Sequence, residues 1–193
     1  MSKVARLTRA ESRERTRTQL LAAAEEVFAA RGFHGASLDE VAEAAGFSKG
    51  AVYSNFGSKD ELFVAVLRKR MSEQAEFLTG LVSRASGDPV AALPDLEWMD
   101  LQWCQLLFEF WLYALRNPAA TQLLADTYRQ FRAQLAPIAA PLAGPDRTAQ
   151  EVASAGIALY QSLALQRHLD PDAVPTDLAA RILSALRAPG PLD

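Results

Sequence analysis

Cysteine is almost missing from this chain: Cys104 stands alone among 193 residues. One thiol forms no internal disulfide and rules out a multi-cysteine zinc site. Histidine is nearly as scarce, with only His34 and His168. No paired-histidine metal pattern, no Ser-His-Asp or Cys-His set and no phosphate-cradling glycine loop can be read. The sequence therefore predicts no catalytic residue, no metal and no cofactor, and it does not read as an enzyme. Runs that alternate with period two are missing too, which argues against strands. The longest apolar stretch, Leu106 to Leu115, is interrupted by Glu109 and is too short to span a bilayer. The N-terminus is polar and basic, without the apolar core of a signal peptide. The expectation is a cytoplasmic protein with no membrane partner.

What is present is apolar bulk, since hydrophobic residues make up 50% of the chain, enough for a real core. The charge is unevenly placed. Residues 1–70 carry 12 Lys+Arg against 9 Asp+Glu, whereas residues 71–193 carry 8 against 14. A basic first third points to a polyanion partner, and the acidic remainder speaks against a polyanion coat over the whole protein.

Apolar spacing is helical almost throughout. Thr8 with Glu11 reads as a capping box opening a first helix whose buried stripe is Leu20, Ala24, Val27 and Phe28. Gly32 is placed to end it, with Phe33 as the apolar contact that follows. Ser37 with Glu40 opens a short helix that closes near Gly46, and Ser48 caps another running to about Phe56. Ser58 with Glu61 opens a long helix over 59–86, which Gly87-Asp88-Pro89 stops. A short turn is expected between Val90 and Leu93. Further helices are predicted at 95–116, 119–142, 147–168 and 176–187, and Pro137 should kink or end the second of these.

The segment from Ser37 to Phe56 is the informative one. Leu38, Val41 and Ala42 give its first helix a buried face, Ala45 allows a close crossing and Gly46 permits a turn with positive φ. Phe47 plugs that turn. Val52 and Phe56, four residues apart, bury the inner face of the next helix. The opposite face then presents Lys49, Gly50, Ala51, Tyr53, Ser54 and Asn55. Helix, tight glycine turn, helix is the helix-turn-helix, whose second helix enters the major groove of duplex DNA. Its length, about 13 Å at 1.5 Å per residue, is similar to the groove's width.

Over roughly residues 13–73 the chain closely resembles the TetR family of bacterial transcriptional regulators. The resemblance rests on Phe28-(Ala-Ala)-Arg-Gly-Phe33, on Ser37, on Ala44-Ala-Gly-Phe-Ser-Lys-Gly50, on Tyr53-Ser-Asn-Phe56 and on Ser58-Lys-Asp-Glu-Leu62. Asn55-Phe56-Gly57 departs mildly from the family, which more often has an aromatic before the Phe and a Pro after it. The resemblance implies an all-α chain: an N-terminal three-helix DNA-binding domain and a C-terminal helical ligand-binding and dimerisation domain. The expected division is a basic arm over 1–12, a DNA-binding domain over 13–73 with its motif at 37–56, and a regulatory domain over 74–193. It also implies roles. Lys49, Gly50 and Ala51 begin the recognition helix, with Ala51 facing a thymine methyl. Tyr53 and Lys59 match phosphate contacts, as do Ser37 and Ser48 through hydroxyls and helix-start N–H groups. With few long base-reading side chains, specificity leans partly on DNA shape.

Ahead of the motif, Lys3 and Arg6 precede the first helix, and Arg9, Arg13 and Arg17 recur at four-residue spacing on one helical face. They are read as a phosphate-gripping ridge, against the alternative of a solvated charged face paired locally with Glu11 and Glu14.

In the second domain, the helix near 98–116 is apolar nearly all round and is therefore expected to be buried. The family holds a small effector in this region, and Trp103, Phe108, Trp111, Tyr128 and Phe131 are the candidate lining. Glu109 either faces such a ligand or, as the plainer reading, solvent. On the 147–168 helix, Val152, Gly156, Leu159 and Leu163 share one face, beside a surface of small residues including Ala155. With Ile182 on the last helix they are the candidate homodimer interface. The function expected is a repressor released from a palindromic double-stranded DNA operator by a small-molecule effector. The alternative is an activator, or a ligand-independent regulator, of the same fold.

Overall fold

The computed structural model describes residues 8–85 and 90–185. Eight α-helices occur among them, and no strand: α1 (Arg9–Gly35), α2 (Leu38–Ala45), α3 (Lys49–Asn55), α4 (Lys59–Arg84), α5 (Leu101–Ala114), α6 (Pro118–Ala139), α7 (Ala149–Leu169) and α8 (Leu178–Ala185). The chain forms two compact units. The first comprises the residues through Leu67 together with Glu109–Leu123, and the second comprises Arg68–Phe108 and the residues from Leu124 onward.

Local chemistry sets the helix starts in the first unit. The Thr8 hydroxyl accepts from the Glu11 N–H at 3.2 Å, and the Glu11 carboxylate accepts from the Thr8 N–H at 2.7 Å. This accounts for the depressed pKa of Glu11, whose largest cause is that backbone bond. Ser37 and Glu40 repeat the box at α2. At α4 only half of the expected box forms. Ser58 accepts from the Glu61 N–H at 3.1 Å, but the Glu61 carboxylate accepts instead from the Gly57 N–H at 2.9 Å.

Gly32 does not simply end α1. It sits inside the element at φ 72°, ψ 172°, a region open to glycine, and one more turn follows before Ala36. The core of this unit is aromatic. Phe63 meets Phe28 at 5.2 Å, Phe33 at 5.3 Å and Phe110 at 4.4 Å between ring centroids, mostly edge to face, a geometry that favours aromatic pairs. Phe110 comes from α5, so residues 109–123 join this unit although the 13–73 boundary leaves them outside.

The second unit is built from residues 68–84 of α4, residues 101–108 of α5, most of α6, and α7 and α8. The expected 95–116 helix is two elements. Asp95 caps a separate 3-10 turn, Leu96–Trp98, and the Asp100 carboxylate accepts from the Trp103 N–H at 3.1 Å to open α5. A 3-10 turn at Val90–Ala92 matches the short turn expected there. Pro137 is inside α6, which closes two residues later at Ala139 and passes into a 3-10 turn. Thr148 and Glu151 form a capping box at α7. The stop signal at Gly87-Asp88-Pro89, and Lys3 and Arg6 of the arm, lie outside the described residues. No helix among the described residues is long and apolar enough to cross a membrane.

α5 is not buried all round: Leu112 is 63% exposed, and Leu115 just past its end 76%, against 1% for Cys104. The composition of the helix, apolar on every side, hides this asymmetry.

Two outcomes follow. Alanine at position 32 would hold a non-glycine residue at φ 72° and place its Cβ 2.8 Å from Glu109 Oε2, so Gly32→Ala should cost about 1–3 kcal/mol in urea unfolding; an unchanged midpoint would contradict the geometry. Burial pushes the Cys104 thiol up to about 11. A disulfide exchange reagent at pH 8 should leave the native thiol unmodified for as long as it takes to titrate the urea-unfolded chain fully. Equal rates in the two states would contradict the burial.

Candidate nucleic-acid interface and ligand cavity

α3 is seven residues long and owes its orientation to two buried side chains. Val52 is fully buried and Phe56 is 3% exposed. Gly46 makes the turn before it in the left-handed region at φ 70°, ψ 27°, with its N–H on the carbonyls of Ala42 and Glu43. The Ser48 hydroxyl caps α3 by accepting from the Ala51 N–H at 3.3 Å. Lys49, Gly50, Tyr53 and Ser54 consequently face solvent, and Ala51 and Asn55 are half-buried. Tyr53 is an exposed aromatic at 49%.

The charged groups around α3 have definite partners. Lys49 Nζ lies 2.8 Å from the Asp39 carboxylate of α2 and 6.0 Å from the Tyr53 ring centroid. The hydrogen bond to Asp39, then its charge, hold the Lys49 ammonium above its ordinary pKa, so it is cationic at neutral pH. Both groups are exposed, and such a pair contributes little. Arg13 and Arg17 do not stand free on a ridge. Arg13 donates to the Ser54 carbonyl at 3.4 Å and Arg17 to the Asn55 carbonyl at 3.2 Å, with the Arg17 guanidinium 4.4 Å above the Phe56 ring. Two cations thereby serve the C-terminal carbonyls of α3, where the helix dipole favours them. Arg9 is exposed at the start of α1.

Lys59, matched by resemblance to a phosphate contact, has its ammonium on the carbonyls of Phe33, His34 and Ala36 at 2.9, 3.4 and 3.1 Å. It holds the segment between α1 and α2. Ser37 donates to Glu40 at 3.0 Å, so its hydroxyl already closes its own cap.

Glu109 is the residue that sequence reasoning missed. It faces neither a ligand nor open solvent. Its carboxylate accepts from the Phe33 N–H at 3.0 Å and the His34 N–H at 2.9 Å, directly after the Gly32 break. Those two donors open the turn that restarts after Gly32, where first N–H groups have no intrahelical acceptor, and a carboxylate 76 positions away from Phe33 satisfies them. No local pattern could have signalled this, although a Glu isolated in an apolar helix was the visible clue. Nearby, Tyr113 donates to Asp60 at 3.0 Å.

In the second unit a cavity of about 100 Å³ opens among α4, α6, α7 and α8. Of the expected lining only Phe131 is there. Tyr128 stands one step behind, its hydroxyl against the Gln161 amide that does line it. Trp103 is instead buried beneath the Arg70 guanidinium, 4.4 Å from the ring centroid. Phe108 is half-buried away from the cavity, and Trp111 lies in the other unit at 37% exposure. The other aromatic walls are Tyr160 and Trp98, the latter stacked on Phe77 at 5.4 Å and 12°.

The expected partner-facing residues of α7 are also placed differently. Val152 and Gly156 line the cavity, and Leu159 and Leu163 pack on the cluster of Leu96, Val174 and Ala179. The chain's own elements thus cover Val152 and leave Gly156, Leu159 and Leu163 half-buried. What α7 leaves open is a stripe of Ser154, Ala158, Ser162, Gln166 and Leu169, flanked by half-buried Ala155; on α8, Ile182 is half-buried.

Two family models match this chain. Residues 20–66 match bacterial regulatory proteins of the tetR family, and residues 90–187 match the C-terminal region of BetI-type transcriptional repressors. The chain belongs to the TetR family. It is 51% identical over 59 residues to the transcriptional activator FasR of Mycolicibacterium smegmatis, a match covering 31% of this chain and 27% of FasR. The curated relatives it matches are spanned over about a quarter to a half of their length, 27% for FasR and 49% for TtgW of Pseudomonas putida. Among solved structures, the multidrug binding protein EbrR with imidazole aligns over 92% of this chain and 98% of its own at TM-score 0.62 and 27% identity. GusR of Salmonella enterica aligns over 94% of this chain and 97% of its own at TM-score 0.65 and 22% identity, a likeness of fold.

Glu109→Ala in this TetR-family chain should lower the urea midpoint by the equivalent of about 1–3 kcal/mol, because two N–H groups lose their acceptor. Glu109→Gln, which keeps one carbonyl, should lose less. Equal stability of the alanine variant and the parent would contradict the clamp.

Proposed function

We propose that this chain is a non-enzymatic, sequence-specific DNA-binding repressor that acts as a homodimer in the cytoplasm and is released from a palindromic operator by a small-molecule effector. One observation carries the reading: α3 buries Val52 and Phe56 and turns Lys49, Gly50, Tyr53 and Ser54 outward. Small residues at positions 50 and 51 let the backbone approach base edges, and Tyr53 and Lys49 flank them as phosphate-directed groups. Arg9 and the exposed parts of Arg13 extend the positive face along α1. In this reading Lys59 and Arg17 position the reading head rather than touch DNA.

Two-fold symmetry in a dimer matches half-sites about 34–36 Å apart, or further, on one side of the duplex. The open stripe on α7, with α8 beside it, is the surface proposed for the second copy. α4 supplies the link to the cavity: Lys59 at its start holds the segment before α2, and Gln74 and Leu78 further along line the cavity. An effector that binds better to the non-DNA state loosens the operator complex, and the operator weakens effector binding by the same factor.

A second reading, activation, is favoured by the FasR match. A reporter driven by the recovered operator separates the two by the sign of its response.

Electrophoretic mobility shift against a duplex selected from a random pool tests the proposal. Lys49→Ala should reduce the slope of log affinity against log salt by about 1, and Tyr53→Ala should weaken binding at least tenfold. Binding and slope unchanged in both variants would remove α3 from the interface.

A further inference from the structure

The cavity of the second unit is lined almost entirely by apolar side chains. Leu78 of α4, Phe131 and Leu135 of α6, Val152 and Gly156 of α7 and Leu183 of α8 form apolar walls. Among the described residues, no Asp, Glu, Lys, Arg or His belongs to the lining. The Tyr160 hydroxyl, on the same wall, donates to the Pro94 carbonyl at 2.6 Å, and burial pushes its pKa up to about 12. Tyr160 therefore supplies neither a negative charge nor a spare proton. Its ring counts as another apolar surface.

Two amides remain, Gln74 and Gln161. The Gln161 amide lies against the Tyr128 hydroxyl, with Nε2 at 3.1 Å and Oε1 at 3.3 Å. An amide has two N–H donors and a carbonyl with two lone pairs, so this one partner leaves capacity for a guest. No buried side-chain polar atom among the described residues lacks a hydrogen-bond partner. An apolar cavity with its polar groups satisfied demands no water and takes up apolar molecules; one of about 150 Å³ lined by aliphatic and aromatic side chains holds benzene. The present volume, about 100 Å³, suits a single small ring.

We infer that the effector class is an uncharged, largely apolar molecule of about one ring, carrying at most one polar group that meets the Gln161 amide, and that cations and anions of the same shape are excluded. This deepens the repressor reading and rests on it. The reason is desolvation. An ion entering this cavity gives up its hydration with no counter-charge in the walls, while a neutral isostere gives up little.

Three probes of one shape test it: benzyl alcohol, benzylammonium and benzoate, titrated into the full chain. Trp98 lines the cavity, so its emission reports occupancy. Benzyl alcohol should shift the emission and raise the melting temperature, and each ion should bind at least tenfold more weakly. A Cβ on Gly156 meets the Leu183 methyls at ordinary contact distance, 3.8 Å, so Gly156→Ala should fold and Gly156→Leu should fill the space and abolish binding. Gln161→Leu should weaken benzyl alcohol at least fivefold and leave toluene unchanged, which keeps the test alive if the leucine at 156 prevents folding. Equal binding of the ions, retained binding in Gly156→Leu, or no binding of any probe overturns the inference. The same samples are assayed on the selected duplex. Intact DNA binding without probe binding refutes only the effector class, whereas probe binding without DNA binding refutes only the repressor reading.

Discussion

Burial of Val52 and Phe56 on one side of a seven-residue helix is the constraint on which the functional surface depends. A helix that short has little stability of its own, since nucleation costs more than a single turn returns. It persists because both anchors are in the core, because Ser48 caps its start, and because Arg13 and Arg17 reach its last carbonyls. The same anchors decide which side chains are left outside. Were the helix rotated by one residue, Tyr53 would take the place of Val52 and the solvent-facing surface would become core.

The segment between α1 and α2 is held as firmly by groups from elsewhere. Gly32 breaks α1 in a conformation reserved for glycine, and the break exposes backbone donors and acceptors together. Glu109 takes the donors of residues 33 and 34, and Lys59 takes the acceptors of residues 33, 34 and 36. A carboxylate from α5 and an ammonium from α4 thus complete a turn that neither local sequence could complete. Phe33, fixed by that turn, enters the aromatic cluster with Phe63 and Phe110. This is why residues 109–123 belong to the first unit.

Signals that act over three or four residues were legible in the sequence. The boxes Thr8/Glu11 and Ser37/Glu40, the turn at Gly46, and the pair Val52/Phe56 all stand as the spacing predicted, and with them the family. Interactions across many tens of residues were not. Glu109 reads as surface or ligand contact until its partners at 33 and 34 are in place. Periodicity showed that α7 is apolar on two sides but could not say which side the chain itself covers. Gly156 turned out to face inward, where α8 brings Leu183 against it, and Val152 lines the same cavity. The cavity was sought among Trp103, Phe108, Trp111, Tyr128 and Phe131; of these Phe131 lines it, and its walls are chiefly aliphatic. Asp95, which caps the turn carrying Trp98, was the overlooked signal that 95–116 is not one helix.

The central claim is that the outer face of α3 sits in the major groove in two symmetric copies. A cysteine at exposed position 54, carrying a copper-phenanthroline cleaving group, reads this directly, because the native Cys104 is 1% exposed and stays unlabelled. On a duplex selected by the chain from a random pool, the account predicts two clusters of strand cleavage related by a two-fold axis, about 34–36 Å apart or further. A single diffuse pattern, or cleavage that persists unchanged when Val52 is replaced by Asp, would contradict it.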